Sequence, residues 1–161
     1  MHDLDGFASL RVGQFVKIAG KYRDREGFLA VEITCEPSLE DAKIEGLIQH
    51  VDLDRKRLSI FGQELPIDEE IEIKDVENNR VSLSALQSGK MVKLKGVYAE
   101  SKLFAPVKIL MKPTLEFNIE ELQGAINKID LENKTLEVNG IRTVVNAKTN
   151  IEGLAGFKGH N

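Results

Sequence analysis

Apolar residues recur at every second position in several short segments of the chain. Val92 and Leu94 share one phase while Lys93 and Lys95 share the other, and residues 27–33 alternate in the same way. A period of two is that of a β-strand with one buried face. In the first half of the chain the pattern predicts strands at about 13–22, 27–35, 44–52, 57–62, 64–68 and 70–74.

Local breaks in the pattern predict the connections between these strands. Asn139-Gly140 divides two apolar runs and predicts a hairpin turn that requires positive φ. Residues 80–89 are the clearest helix candidate, with Ser82 as its N-cap and Gly89 as its stop.

The chain repeats itself. Residues 10–22 align with 86–98 at an offset of 76, and from Gly46 onward the offset is 78. The matches are mostly apolar residues, glycines and turn residues, which indicates a shared fold rather than a shared reaction. The predicted core of the two copies is Val16, Ile18, Val31, Ile33, Ile48, Leu58 and Ile60, and Val92, Leu94, Val107, Ile109, Ile126, Leu136 and Val138.

One further feature is common to both copies. The apolar residues of the third strand are spaced by three rather than two, at Ile48 and Val51 and again at Ile126 and Ile129. This spacing does not fit a regular strand, and it predicts a bulge or a strong bend.

The order of the elements indicates an all-β fold with minor helix. Residues 44–112 run as three strands, a short helix and two strands, which is the order of an OB barrel. We therefore expect two OB-like five-stranded barrels, one contiguous (41–116) and one formed by the two ends of the chain (1–40 plus 117–161). The second barrel closes either within one chain or with a neighbouring chain. The alternative is a division into tandem units, 1–81 and 82–161.

The pattern also resembles the bacterial domain-of-unknown-function family 5666. The residues that carry the resemblance are Gly124, Ile126, Ile129-Asp130, Thr135-Leu136, Val138-x-Gly140, Gly89-x-x-Val92-x-Leu94-x-Gly96 and 27–33. The resemblance covers most of the chain and implies small OB-like barrels, often in exported or envelope-attached proteins. It implies no activity and no catalytic residues. It favours an exported or cell-envelope location, although the N-terminus does not read as a signal peptide.

Composition and motifs argue against catalysis and against a membrane span. The three histidines are scattered, and no P-loop, dinucleotide or nucleophile-elbow motif occurs. We therefore predict no enzyme activity, no cofactor and no metal. The single cysteine, Cys35, is interpreted as a small apolar filler. With a net charge of −4, the chain lacks the overall field that attracts proteins to phosphate backbones. No apolar run is long enough to cross a membrane.

A group of lysines is the one candidate binding surface. Lys17, Lys93 and Lys95 lie on outward strand faces, and Lys108 lies on a neighbouring strand near Phe104. Nucleic-acid-binding OB barrels place aromatic platforms beside such a groove. Only 6% of the residues are aromatic, so nucleic acid is disfavoured.

We therefore expect a non-enzymatic structural or interaction protein. Its partner would be another protein or a second copy of the chain. Self-assembly by strand exchange would give a homo-oligomer or filament. The alternative is an OB module that binds an oligonucleotide or oligosaccharide.

Overall fold

The structure is a computed structural model that describes residues 6–36, 42–98, 104–113 and 120–152. Its strands are β1 (Phe15–Arg23), β2 (Gly27–Cys35), β3 (Ala42–Leu47), β4 (His50–Asp52), β5 (Arg57–Ile60), β6 (Gln63–Pro66), β7 (Glu72–Lys74), β8 (Arg80–Val81), β9 (Met91–Tyr98), β10 (Phe104–Lys112), β11 (Glu120–Asp130), β12 (Thr135–Val138), β13 (Ile141–Val144) and β14 (Asn150–Glu152). The all-β prediction is confirmed.

Five strands from the two ends of the chain form a closed barrel. The ladders run β1–β2–β13–β12–β11 and return from β11 to β1. The β2–β13 pair is parallel and the other pairs are antiparallel. This closed barrel has no free edge around its circumference, because its first and last strands are hydrogen-bonded to each other.

The central strands repeat this order but do not close. They form two arcs, β4-β5-β6 and β3-β9-β10-β7-β8, and among the described residues β6 has no ladder to β10. Pro66 stands at the position of Val144, which pairs with Leu29 in the closed barrel. Proline has no N–H to donate, so this edge lacks a hydrogen-bond donor that Val144 has in the closed barrel. The predicted barrel formed by the two ends of the chain is closed, and the central unit has the predicted strand order without a β6–β10 ladder among the described residues.

The central unit and the closed barrel share one sheet. Strand β3 pairs with its own repeat counterpart, β11, through Lys43↔Gln123, Ile44↔Leu122 and Glu45↔Glu121. At the offset of 78, Ile44 is equivalent to Leu122. The repeat likewise relates the Lys43↔Gln123 pair to the Glu45↔Glu121 pair. The join therefore has approximate two-fold symmetry, as in an isologous dimer interface.

Two of the predicted core residues are exposed, because each lies at a bulge in its strand. Val31 is 61% exposed and Val107 is 50% exposed. The ladder register shifts between Ala19 and Gly20 in β1 and between Pro106 and Lys108 in β10, which leaves Val31 and Val107 unpaired. An extra residue in a strand reverses the inward and outward alternation beyond it. The other predicted core residues are buried.

Of the predicted bend, turn and helix, the first two are confirmed and the third is wrong. The bend in the third strand is confirmed: β3 and β4 are separate, and β11 shifts register between Ile126 and Lys128. The Asn139-Gly140 turn is confirmed by φ values of 56° and 82°. The helix predicted at 80–89 is wrong, because this segment forms β8 and a single 3₁₀ turn at Leu83–Ala85.

Closure of the barrel by one chain leads to a first prediction. Light scattering should give a constant monomer mass over a wide range of protein concentration, because β1 and β2 already have their partners in β11 and β13. A mass that rises with concentration would mean that these strands are exchanged between chains, as in a domain-swapped assembly.

Candidate functional site

The join between β3 and β11 aligns four lysines across five strands. Lys17 pairs with Gln123, Gln123 with Lys43, Lys43 with Lys95, and Lys95 with Lys108. Residues that are paired in register point to the same face of a sheet. We call Lys17, Lys43, Lys95 and Lys108 the lysine row. Lys17 joins the other three lysines only because the two units share a sheet.

The spacing of the lysine row is set by the sheet. Neighbouring strands lie about 4.8 Å apart, so four steps from Lys17 to Lys108 span about 19 Å. Lys43, Lys95 and Lys108 occupy three consecutive strands with no acidic residue between them. Like charges placed directly opposite each other destabilise a sheet. The row therefore carries a repulsion that an anionic partner would relieve.

A fifth lysine, Lys93, lies beside the row and is half-buried. Its Nζ is 4.0 Å from Glu45 Oε1, and its side chain is only 26% exposed. Burial lowers the pKa of Lys93, Glu45 raises it in part, and Lys112, Lys43 and Lys95 lower it further. The lysines of β3, β9 and β10 are therefore close enough for their charges to lower the pKa of Lys93.

A small depression lies where the two copies meet. It has a volume of about 60 Å³, and its lining residues form pairs that the repeat relates to each other. These pairs are Lys17 with Lys93, Lys43 with Glu121, and Glu45 with Gln123. The pseudo-symmetry axis therefore passes through the candidate surface, with a lysine on either side of it.

The structure brings the predicted lysines together but not the predicted aromatic residue. Lys17, Lys93, Lys95 and Lys108 share one face of the joined sheet. Phe104 is wrong as a surface residue, because it is only 3% exposed. Sequence analysis missed Lys43, whose alternation with buried Ala42 and Ile44 was the available signal.

Each described aromatic residue is buried or half-buried. Tyr22 stacks on Phe61, with ring centroids 5.5 Å apart. Tyr98 donates a hydrogen bond to Asn139 Oδ1 and accepts one from the Ala125 N–H at 3.0 Å. Burial raises the pKa of Tyr98, and the Ala125 hydrogen bond lowers it in part. These rings pack within the protein and offer no stacking platform beside the lysine row.

The described residues contain little that resembles a catalytic or metal site. No group of three or more His, Cys, Asp or Glu residues among them is placed to hold a metal ion. Cys35 is buried, and burial together with the nearby Glu36 raises the pKa of its thiol to about 11. His50 lines an open depression with Asp52 and Asp54, but every lining residue belongs to the single segment 50–54.

Comparison with known proteins leaves the family open. No protein-family model, no curated protein and no solved structure matches this chain. The resemblance to the domain-of-unknown-function family 5666 therefore stays a prediction. No helix in the part of the chain that the structure describes has the length and apolar character to cross a membrane.

The repulsion within the lysine row leads to a second prediction. Lys95→Gln should raise the free energy of unfolding by about 0.2–1 kcal/mol at low salt, because Lys95 lies between two like charges. The gain should fall at high salt, where exposed charges are screened. Urea unfolding at two salt concentrations measures it, with Lys148→Gln at an exposed site as the control. A loss of stability at both salt concentrations would contradict the repulsion.

Proposed function

We propose that this protein is a non-enzymatic interaction protein that binds an acidic segment of a partner protein along the lysine row. The observation that supports this proposal is the alignment of Lys17, Lys43, Lys95 and Lys108 across both units. The chain as a whole is acidic, with a net charge of −4. A cationic line on such a protein gives a local field that attracts and orients an anionic partner.

The length and chemistry of the row favour a peptide. A span of about 19 Å matches about six residues of extended chain at about 3.3 Å each. Glu45 and Glu121 lie on the same face, one position along from the row. They would repel a continuous phosphate backbone, whereas a peptide tolerates them if its carboxylates alternate with neutral side chains. The buried aromatic residues also weigh against single-stranded nucleic acid, which gains affinity by stacking.

The proposal assigns binding to a sheet face rather than to exchanged strands. Opening the closed barrel would break the ladders of β1 with β11 and of β2 with β13. A face of side chains needs no such opening, and its strands hold the lysines at fixed spacing. A partner is then bound by a preorganised surface, which lowers the entropic cost of binding.

Fluorescence anisotropy with a labelled ten-residue peptide of alternating glutamate and glycine tests the proposal. We expect saturable binding at low salt that weakens as salt is added. The triple variant Lys43→Gln, Lys95→Gln, Lys108→Gln should bind at least about threefold more weakly, since each lost charged contact is worth about 0.2–1 kcal/mol near the surface. The matched control is Lys90→Gln, Lys128→Gln, Lys148→Gln, which removes the same charge from exposed positions outside the row.

Two outcomes would contradict the proposal. Equal weakening in both triple variants would show that only net charge matters. Tighter, row-dependent binding of a ten-residue oligothymidylate than of the peptide would favour the alternative, an oligonucleotide-binding OB module.

A further inference from the structure

A groove with an aliphatic floor opens on the central unit, away from the lysine row. Its volume is about 590 Å³, within the range of small-molecule sites. Buried Ile71 and Ile73 form the floor. The remaining lining residues are Leu53, Val81, Leu83, Lys56, Glu69, Arg80, Ser82 and Ser84.

The internal repeat shows what makes this groove different from its counterpart. At the offset of 76, Leu83 is equivalent to Phe7. Phe7 is 2% exposed and packs in the hydrophobic core, whereas Leu83 is only partly buried and lines the groove. The position that an aromatic ring fills in one copy is thus held by a smaller side chain in the other.

The floor of the groove also differs from the equivalent part of the closed barrel, because it carries an aliphatic residue in place of a polar one. Ile71 is equivalent, at the offset of 78, to Thr149. Thr149 is fully buried, and its hydroxyl donates a hydrogen bond to the Ala30 carbonyl at 2.7 Å. The central unit has an aliphatic side chain where the closed barrel has a satisfied polar one. At this position the central unit is therefore more apolar than the closed barrel.

The rim carries two cations and one anion. Lys56 Nζ lies 3.8 Å from Glu69 Oε2, and both side chains are largely exposed. The Arg80 guanidinium makes no ion pair or hydrogen bond among the described residues. Its planar donors suit a carboxylate, which accepts two parallel hydrogen bonds from such a group.

We propose that the groove binds a small amphipathic carboxylate. The unbranched aliphatic chain of this ligand lies over Ile71 and Ile73, and its carboxylate faces Arg80. The charge on the rim selects an anionic head group, and the floor selects an aliphatic tail. This site is separate from the lysine row and does not depend on the function proposed for it.

Calorimetric titration of the full chain with octanoate tests this site, with octylammonium as the ligand of opposite charge. We expect saturable binding of octanoate and at least about tenfold weaker binding of octylammonium, because a charge-assisted hydrogen bond would be replaced by repulsion. Leu83→Phe, which copies Phe7, should fill the groove and abolish saturable octanoate binding. Arg80→Gln should weaken it about tenfold.

Control variants separate the groove from general effects. Leu131→Phe enlarges an exposed leucine of the closed barrel, and Lys148→Gln removes an exposed charge. Neither should change the affinity for octanoate. The proposal is overturned if octanoate does not bind saturably, if octylammonium binds equally well, or if a folded Leu83→Phe variant binds like the unmodified protein. Thermal melting of each variant shows whether it is folded.

Discussion

Replacing Val92 with aspartate is expected to unfold the central unit. Val92 is fully buried in β9, where it pairs with Gly46 of β3 and Met111 of β10. A carboxylate at this position would be buried without a partner, which costs about 4 kcal/mol or more. The total stability of a domain is about 5–15 kcal/mol. Urea unfolding followed by circular dichroism should therefore show a large loss of stability.

The same strand supplies the control. Val97 also lies in β9 but is 54% exposed, so Val97→Asp should change stability by no more than about 0.5 kcal/mol. The two variants add the same charge to the same strand and differ in burial. Equal stability of Val92→Asp and Val97→Asp would contradict the facing assigned to β9.

The shape of the unfolding curve carries a second piece of information. Strand β3 pairs with β9 on one edge and with β11 on the other. Loss of β9 should therefore remove the support of β3 and weaken its pairing with β11 of the closed barrel. Both units should then unfold in one transition. Two separated transitions would mean that the β3–β11 join contributes little to stability.

The sequence predicted most of the strands and their order, because those depend on local alternation and on the repeat. Period-two runs identify strands and turn residues identify the hairpins, as Asn139-Gly140 did. The repeat then supplied both halves of the closed barrel. These signals lie within short segments or in the comparison of two segments, so they are readable without coordinates.

The errors in β10 come from a single bulge. Phe104 and Lys108 are both at even positions, so simple alternation places them on one face. The bulge at Val107 reverses the phase, so that Phe104 and Ile109 are both buried and Lys108 lies on the outward face. Pro106, directly before the bulge, was the available signal, because a proline inside a strand is found at edges and bulges. The apolar residues themselves fit either phase.

The pairing of β3 with β11 could not be predicted from the sequence, for a different reason. Alternation shows that a strand has a buried face, but it does not show which strand lies at each edge. The β3–β11 pairing is a contact between equivalent strands of two copies, and the residues that make it are ordinary strand residues. Without that pairing, Lys43 has no reason to be grouped with Lys17, and Lys17 stands apart from the other three lysines of the row.

The buried side chain of Asn139 hydrogen-bonds to both strands of the join. It is 1% exposed, and its amide donates hydrogen bonds to the Lys43 carbonyl at 2.9 Å and the Gln123 carbonyl at 3.0 Å. Lys43 and Gln123 are paired across β3 and β11. Its Oδ1 accepts the hydrogen bond of the Tyr98 hydroxyl. One turn of the closed barrel thus holds β3, β11 and β9 together.

Asn139→Leu is expected to cost about 3–5 kcal/mol. It removes the donor of two hydrogen bonds, each worth about 0.5–1.5 kcal/mol, and leaves the Tyr98 hydroxyl without its acceptor, which costs about 1–3 kcal/mol. Leucine also disfavours the positive φ of 56° at this position. Asn78→Leu is the matched control, because Asn78 has a φ of 70° but is exposed. The difference between the two variants in urea unfolding isolates the hydrogen-bond network from backbone strain.

The equivalent turn shows that the join does not require asparagine as such. Phe61 occupies this position in the central unit with a φ of 52°, and its ring packs on Phe28 and on Tyr22, the counterpart of Tyr98. One copy thus fastens the join by hydrogen bonds and the other by ring packing, each at the same left-handed turn. If Asn139→Leu is no more destabilising than Asn78→Leu, the hydrogen bonds are dispensable, and the Phe61 side alone holds the two units in register.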